Sequence, residues 1–140
     1  MLDLQARFPK ARLGSGDQRF EKRIAQVVAF VDHPGSGFGM PLNVRGTAFQ
    51  KRVWQTLQKT PAGETATYTE IARRIGAPKS VRAVAQAFAA NALAVVIPCH
   101  RVVRMGGALA GYRWGIERKR KLLESEAAAK CPASRPSRRQ

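Results

Sequence analysis

The stretch Thr67-Tyr68-Thr69-Glu70-Ile71-Ala72-Arg73-Arg74-Ile75-Gly76-Ala77-Pro78-Lys79-Ser80-Val81-Arg82-Ala83-Val84-Ala85-Gln86-Ala87-Phe88-Ala89-Ala90 decides the fold. Thr67 and Glu70 are spaced as a capping box, in which each side chain satisfies the other's free amide. Ile71, Ala72 and Ile75 follow as the apolar face of a short helix, and Gly76 is placed to end it. Gly76-Ala77-Pro78-Lys79 then leads to Ser80, a good N-cap for a helix over 81–90. Helix, short glycine-containing turn, helix is the helix-turn-helix pattern, whose second helix is the one offered to DNA. The bare pattern fits an ordinary helical hairpin as well. Alanine crowds the second helix, which lets its backbone approach another helix or the walls of a groove, and alanine also simply favours helix. Arg82 sits in the first turn, where the helix dipole disfavours a cation unless an anion binds there.

Upstream, Thr47 opens a helix with Phe49, Val53, Trp54 and Leu57 on one side, and Thr60-Pro61-Ala62-Gly63 stops it. Another helix is predicted at about Asp17–Val31, capped by Asp17, with Phe20, Ile24, Val27, Val28 and Val31 at helical spacing. Leu42-Asn43-Val44 reads as a short strand. So little structure cannot bury a core alone, and residues 1–44 read as a partial N-terminal subdomain. Downstream, Leu93-Ala94-Val95-Val96-Ile97 reads as a buried strand. Val102-Val103 and Leu109-Ala110 flank Met105-Gly106-Gly107 as a hairpin. Gly111-Tyr112-Arg113-Trp114-Gly115 is an aromatic loop. A last helix, from Ile116 to about Ala128, should bury Ile116, Leu122 and Leu123 and expose Arg118 to Lys121. Residues 129–140, including Cys131, read as a disordered basic tail, which leaves 45–128 as the main domain.

The 140 residues hold 25 Lys plus Arg against 9 Asp plus Glu, a net charge of +16. Such a balance attracts polyanions. Residues 45–126 carry 15 basic and 5 acidic side chains, whereas 1–44 carry 6 and 4, so the charge lies with the predicted helix-turn-helix. No apolar run approaches the roughly 18 residues of a membrane span, and the N-terminus has no signal-peptide core. A soluble, cytoplasmic protein without membrane partners is expected. Cys99 and Cys131 cannot build a disulfide framework or a four-cysteine zinc site, and no metal site is expected.

Ile97-Pro98-Cys99-His100-Arg101 is the stretch that carries chemistry. A thiol is nucleophilic as thiolate, and His100 and Arg101 beside Cys99 are candidates to lower its pKa. Adjacent residues of an extended strand point to opposite faces, so Cys99 and His100 need a turn after Pro98 or a bridging water to communicate. Glu126 on the last helix is placed to orient His100. Adjacency alone favours the plainer reading, a buried cysteine packing as a small hydrophobe beside an unrelated histidine.

Residues 45–126 resemble the catalytic domain of the O6-alkylguanine-DNA alkyltransferases, the methylated-DNA–protein-cysteine methyltransferases. The resemblance rests on Arg45-Gly46-Thr47-Ala48-Phe49-Gln50, Pro61-Ala62-Gly63-Glu64-Thr65, Tyr68, Arg82-Ala83-Val84, Asn91, Ile97-Pro98-Cys99-His100-Arg101-Val102-Val103 and Gly111-Tyr112-Arg113-Trp114-Gly115. It implies an α/β fold with a mostly α catalytic domain, winged-helix-like, behind an N-terminal ribonuclease-H-like subdomain. Residues 8–44 match only the closing part of that subdomain, so its sheet should be incomplete. The resemblance is nearest to bacterial members that also carry a zinc-binding, promoter-activating half, for which no cysteine cluster exists here, so their transcriptional role is not carried over.

The family resemblance implies single-turnover transfer of an alkyl group from O6-alkylguanine, and from O4-alkylthymine, in double-stranded DNA to Cys99, without a cofactor and by a monomer. The helix over 80–90 would enter the minor groove, with Thr69, Ser80, Ala83, Gln86 and Ala87 against DNA. Arg82 would take the place of the extruded nucleotide, and Tyr68 would crowd the 3′ phosphate and protonate the guanine ring. The carbonyls of Cys99 and Val102, the amide of Arg113 and the ring of Tyr112 would hold the base. His100, backed by Glu126, would activate Cys99 through water, and Asn91 would tie the helix to the reactive turn. Phe88 is bulky for a groove contact, and Met105 and Ala77 replace polar DNA contacts. Two other classes remain beside this one: a lesion-binding alkyltransferase-like protein without catalysis, and a helix-turn-helix regulator for which the Pro-Cys-His-Arg turn has no purpose.

Overall fold

The computed structural model describes residues 2–33, 35–109 and 111–130. Helices α1 (Leu2–Arg7), α2 (Gln18–Asp32) and α3 (Ala48–Gln58) lead to a two-residue strand, β1 (Ala66–Thr67). Helices α4 (Tyr68–Arg74) and α5 (Val81–Ala89) follow, then a 3-10 turn (Cys99–Arg101), strand β2 (Val102–Val103) and α6 (Ile116–Lys130). Helix α1 is an addition to the sequence reading. Residues 129 and 130 of the expected tail belong to α6, Cys131 and the residues after it lie outside the described residues, and no described helix is long and apolar enough to cross a membrane.

Local chemistry sets the helix starts. Thr67 Oγ1 accepts from the Glu70 amide at 3.2 Å, and Glu70 Oε2 accepts from the Thr67 amide at 2.6 Å. Thr47 and Gln50 make the same reciprocal exchange at the start of α3. Two otherwise unpaired amides are satisfied at each place. Gly76, at φ +76°, carries the chain out of α4 through a left-handed conformation that would strain a side-chain-bearing residue. Ser80 stands at the N-cap of α5 without a capping bond. Its φ of −100° and ψ of 29° are not the extended backbone from which a cap hydroxyl reaches the next turn.

The core lies between α3, α4 and α5. Val53, Trp54 and Leu57 face Ile71 and Ala72 and, from α5, Val84, Ala87 and Phe88. Trp54 Nε1 donates to the Ala87 carbonyl at 2.9 Å, which bonds α3 to α5. Ala87 is thus 1% exposed and cannot be the DNA contact expected from the sequence. Helical phase turns 84, 87 and 88 inward and leaves 82, 85, 86 and 89 outside.

Strand pairing departs from the sequence reading. Val102–Val103 pairs in parallel with Ala66–Thr67, Ala66 opposite Val102, rather than with Leu109-Ala110. Ala110 lies outside the described residues, and the Gly106-Gly107 turn is closed by Arg104 N donating to Ala108 O at 2.9 Å. This short ladder sets the first turn of α4 beside the Cys99 turn. Neither Leu42-Asn43-Val44 nor Leu93–Ile97 forms a strand. The latter folds back on itself, with Ile97 N bonded to Leu93 O at 3.1 Å.

Asp17 caps α2 through a 2.9 Å bond from Phe20 N, as its position predicts. No residue of α2 is buried, however, and Phe20, Ile24 and Val28 stand about half exposed. On α6 two expectations are corrected: Ile116 is exposed, whereas Lys119 is buried. Leu122 and Leu123 are half-buried.

Candidate active site

Asn91, just past α5, organises the reactive turn. Its Oδ1 accepts from Leu93 N at 2.9 Å, and its Nδ2 donates to Ile97 O at 3.1 Å and to Cys99 Sγ at 2.9 Å. These bonds satisfy Leu93 N and Ile97 O, two polar groups that strand pairing would otherwise satisfy. The run reverses at Val95, whose φ of +70° is rare for a β-branched residue, with Val96 N bonded to Ala94 O at 2.8 Å. Pro98 then enters the 3-10 turn, which supplies the bend that the Cys99–His100 pair required.

Behind the turn, His100 is fully buried and its Nε2 meets Glu126 Oε1 at 2.7 Å. Arg101 faces the same carboxylate through Nε at 3.0 Å and Nη2 at 2.8 Å, and donates from Nη1 to Thr60 O at 2.5 Å. Gly63, at φ +79°, turns its amide toward Glu126 Oε2 at 3.3 Å. Burial alone would raise the Glu126 pKa, but the hydrogen bonds and charges of His100 and Arg101 outweigh it and pull the carboxyl down to about 2. An ionised carboxylate only accepts, so His100 Nε2 carries the proton of that bond. When the ring holds only that proton, Nδ1 is an acceptor, and it is buried with no hydrogen-bond partner among the described residues.

Cys99 is 7% exposed, and burial pushes its thiol up to about 12. The groups that oppose this rise are Asn91, by its hydrogen bond, Lys119, by its charge, and the backbone of Cys99 itself. This corrects the expectation that His100 and Arg101 do so, since both are turned toward Glu126.

The sulfur opens on a cavity of about 360 Å³ lined by Tyr68, Ala85, Phe88, Ala89, Gly111, Tyr112, Arg113 and Trp114. The rings of Tyr68 and Phe88 lie 5.2 Å apart, as do those of Tyr112 and Trp114. Burial and then the nearby Cys99 raise both phenols, Tyr112 to about 12. Phe88 is therefore a cavity wall, not a groove contact. Val102 is fully buried and does not line the cavity. Its carbonyl accepts from Lys119 Nζ at 2.5 Å.

Arg82 and Gln86 lie exposed on α5, Thr69, Ser80 and Ala83 are half-buried near them, and Ala85 and Ala89 carry that outer face to the cavity rim. Met105 is 78% exposed, whereas Ala77 packs on the core. The structure thus brings Tyr68, Asn91, Cys99, His100 and Glu126 together. It gives Arg101 and Phe88 roles other than those expected, as a partner of Glu126 and a cavity wall, and adds Lys119 and Trp114, of which only the aromatic loop around Trp114 stands out in the sequence.

The family model described as "6-O-methylguanine DNA methyltransferase, DNA binding domain" matches residues 48–128. The chain is 50% identical over 125 residues to the Escherichia coli bifunctional transcriptional activator and DNA repair enzyme Ada. That match takes in 89% of this chain and 35% of Ada, so the chain spans about a third of that relative's length. It is 46% identical over 114 residues to a Mycobacterium tuberculosis methylated-DNA–protein-cysteine methyltransferase, covering 81% of this chain and 68% of the relative. The crystal structure of M. tuberculosis OGT in complex with DNA superposes with a TM-score of 0.73 at 46% identity, over 81% of this chain and 70% of that one. With more than half of its length matched by the model, and at 46% identity to a relative of which it covers 68%, the chain belongs to the 6-O-methylguanine DNA methyltransferase family.

Proposed function

We propose that this chain repairs DNA by transferring the alkyl group of O6-alkylguanine, and of O4-alkylthymine, to Cys99 irreversibly, once per molecule. The observation that carries this reading is the seating of Cys99 on a cavity wall in the same short turn as His100, whose Nδ1 is buried and unbonded among the described residues while its Nε2 meets Glu126. The names of the relatives point the same way.

The O6 atom of a stacked guanine is out of reach of any sulfur, so the nucleotide must be flipped out of the duplex. In this reading α5 lies in the minor groove with Arg82 filling the vacated place, supported by Thr69, Ser80, Ala83 and Gln86. Tyr112 and the Arg113 amide hold the base. A carbonyl has two acceptor sites, so Val102 O, bonded to Lys119 and behind the cavity lining, receives the guanine amine only once the entering base displaces that lining. The thiol proton passes through a water to His100 Nδ1, and Glu126 stabilises the resulting imidazolium. The sulfur then attacks the alkyl carbon as the C–O6 bond breaks, and Tyr68 protonates the departing guanine. His100 returns the thiol's proton to Tyr68 through solvent, so the net change is an S-alkylcysteine and an unmodified guanine, with His100 and Tyr68 restored. A thioether is not reduced by ordinary thiols, hence the single turnover.

The proposal assigns DNA binding and transfer to residues 45–128, with 1–44 an incomplete N-terminal subdomain and 129–140 a basic tail. It describes a monomer of the bacterial cytosol that needs no cofactor.

The test is incubation with duplex DNA carrying O6-methylguanine, followed by intact mass and adduct mapping. One methyl group on Cys99 per molecule is expected. Lesion-selective binding without an adduct would replace this reading with that of a non-catalytic damage sensor, and indifference to the lesion would replace it with that of a regulator.

A further inference from the structure

Lys119 is 1% exposed in the middle of the basic run Arg118–Lys121, whose other members face solvent. Withdrawing an ammonium from water is costly unless strong contacts compensate it. Its Nζ donates to the carbonyl of Val102, the residue directly after the Cys99–Arg101 turn. Other groups surround the thiol. Tyr68 approaches from α4 and Tyr112 from the loop before α6, both able to become anions but not cations. Asn91 approaches from the end of α5, Arg104 acts on Tyr68, Arg118 acts on Tyr112, and Arg113 lines the same cavity as the sulfur. His100 and Arg101 are engaged with Glu126.

We propose that Lys119 is a positioning residue that clamps the reactive turn to α6 through Val102 O and supplies the positive charge that compensates Cys99 once its proton has left. This rests on the reading of Cys99 as the alkyl acceptor. The proton goes to His100, the sulfur becomes anionic within the field of the ammonium bonded at Val102 O, and that anionic charge passes to the guanine as the S–C bond forms and the C–O6 bond breaks. The reciprocal influence is present, since burial lowers the Lys119 pKa while Cys99 raises it.

The test compares Lys119→Met, which keeps length and packing, Lys119→Gln, which keeps a donor without charge, and Lys119→Arg, all with Cys131→Ser. Alkylation of Cys99 by iodoacetamide is followed against pH, with circular dichroism and binding to unmodified duplex DNA as fold controls. The uncharged variants should shift the rate profile up by about one pH unit and slow the reaction about ten-fold at pH 8, and Lys119→Arg should recover most of the rate. An unshifted profile in either folded uncharged variant, or an Arg variant as slow as they are, would overturn the proposal. Lys119→Gln carries the test if Lys119→Met fails to fold. Iodoacetamide needs no DNA, so failure of the wild type to demethylate DNA would count against the functional reading and leave the Lys119 result standing.

Discussion

Asn91 and Cys99 are eight positions apart in the chain, and the Asn91 amide donates to the Cys99 sulfur over 2.9 Å. The same side chain bonds Leu93 N and Ile97 O, so one buried residue holds both ends of the segment that carries the thiol. A buried hydrogen bond is worth about 1 kcal/mol net, and more when its loss leaves a partner unsatisfied. Asn91→Ala should therefore lose about 3 kcal/mol in urea unfolding. A loss below about 1 kcal/mol would mean that the turn is held by other contacts.

Leu57 and Ile24 make a second test, of where the core ends. Leu57 is 0% exposed within the α3–α4–α5 core, and Leu57→Ala should cost about 3 kcal/mol. Ile24 is 47% exposed on α2, and Ile24→Lys should change stability by less than about 0.5 kcal/mol. Thermal melts of both variants check the contrast. A large loss from Ile24→Lys would show that α2 is buried against something in solution.

Those two residues also mark what the sequence reveals. The starts of α2, α3 and α4 are legible because Asp17, Thr47 and Thr67 cap amides only three positions ahead. The core of α3 is legible because helical spacing alone brings Val53 and Leu57 to one face. The β-branched run before Cys99 misleads, because Asn91 bonds Leu93 N and Ile97 O and local preference cannot foresee that. Val102–Val103 misleads because its partner lies far upstream. Lys119 is indistinguishable from Arg118 and Arg120 until α6 is packed on the turn. Glu126 is expected beside His100 from the sequence, but no spacing in the chain fixes their meeting, which requires α6 packed against the turn.

Arg82 is exposed on α5 and contributes nothing to the core, so Arg82→Ala should leave stability within about 0.5 kcal/mol of the wild type. Only a duplex substrate requires a nucleotide to be extruded. Repair of O6-methylguanine in duplex DNA should slow much more than reaction with free O6-benzylguanine, compared as second-order rate constants. Equal losses on both substrates would remove Arg82 from the extrusion step.

Glu126 ties stability to pH. Its folded-state pKa of about 2 lies below the ordinary carboxyl value of 4.5, so the folded state favours the ionised form. The resulting stabilisation, on the order of 3 kcal/mol, is complete above about pH 4.5 and is lost as pH falls toward 2. Glu126→Gln cannot titrate and leaves Arg101 buried without its carboxylate. The variant should be weaker than the wild type by about 3 kcal/mol at pH 7 and should lack this component of acid destabilisation. Urea unfolding at steps between pH 7 and pH 2 separates the two effects. If both proteins lost stability in parallel on acidification, the carboxylate that backs His100 would not be the group whose protonation weakens the fold.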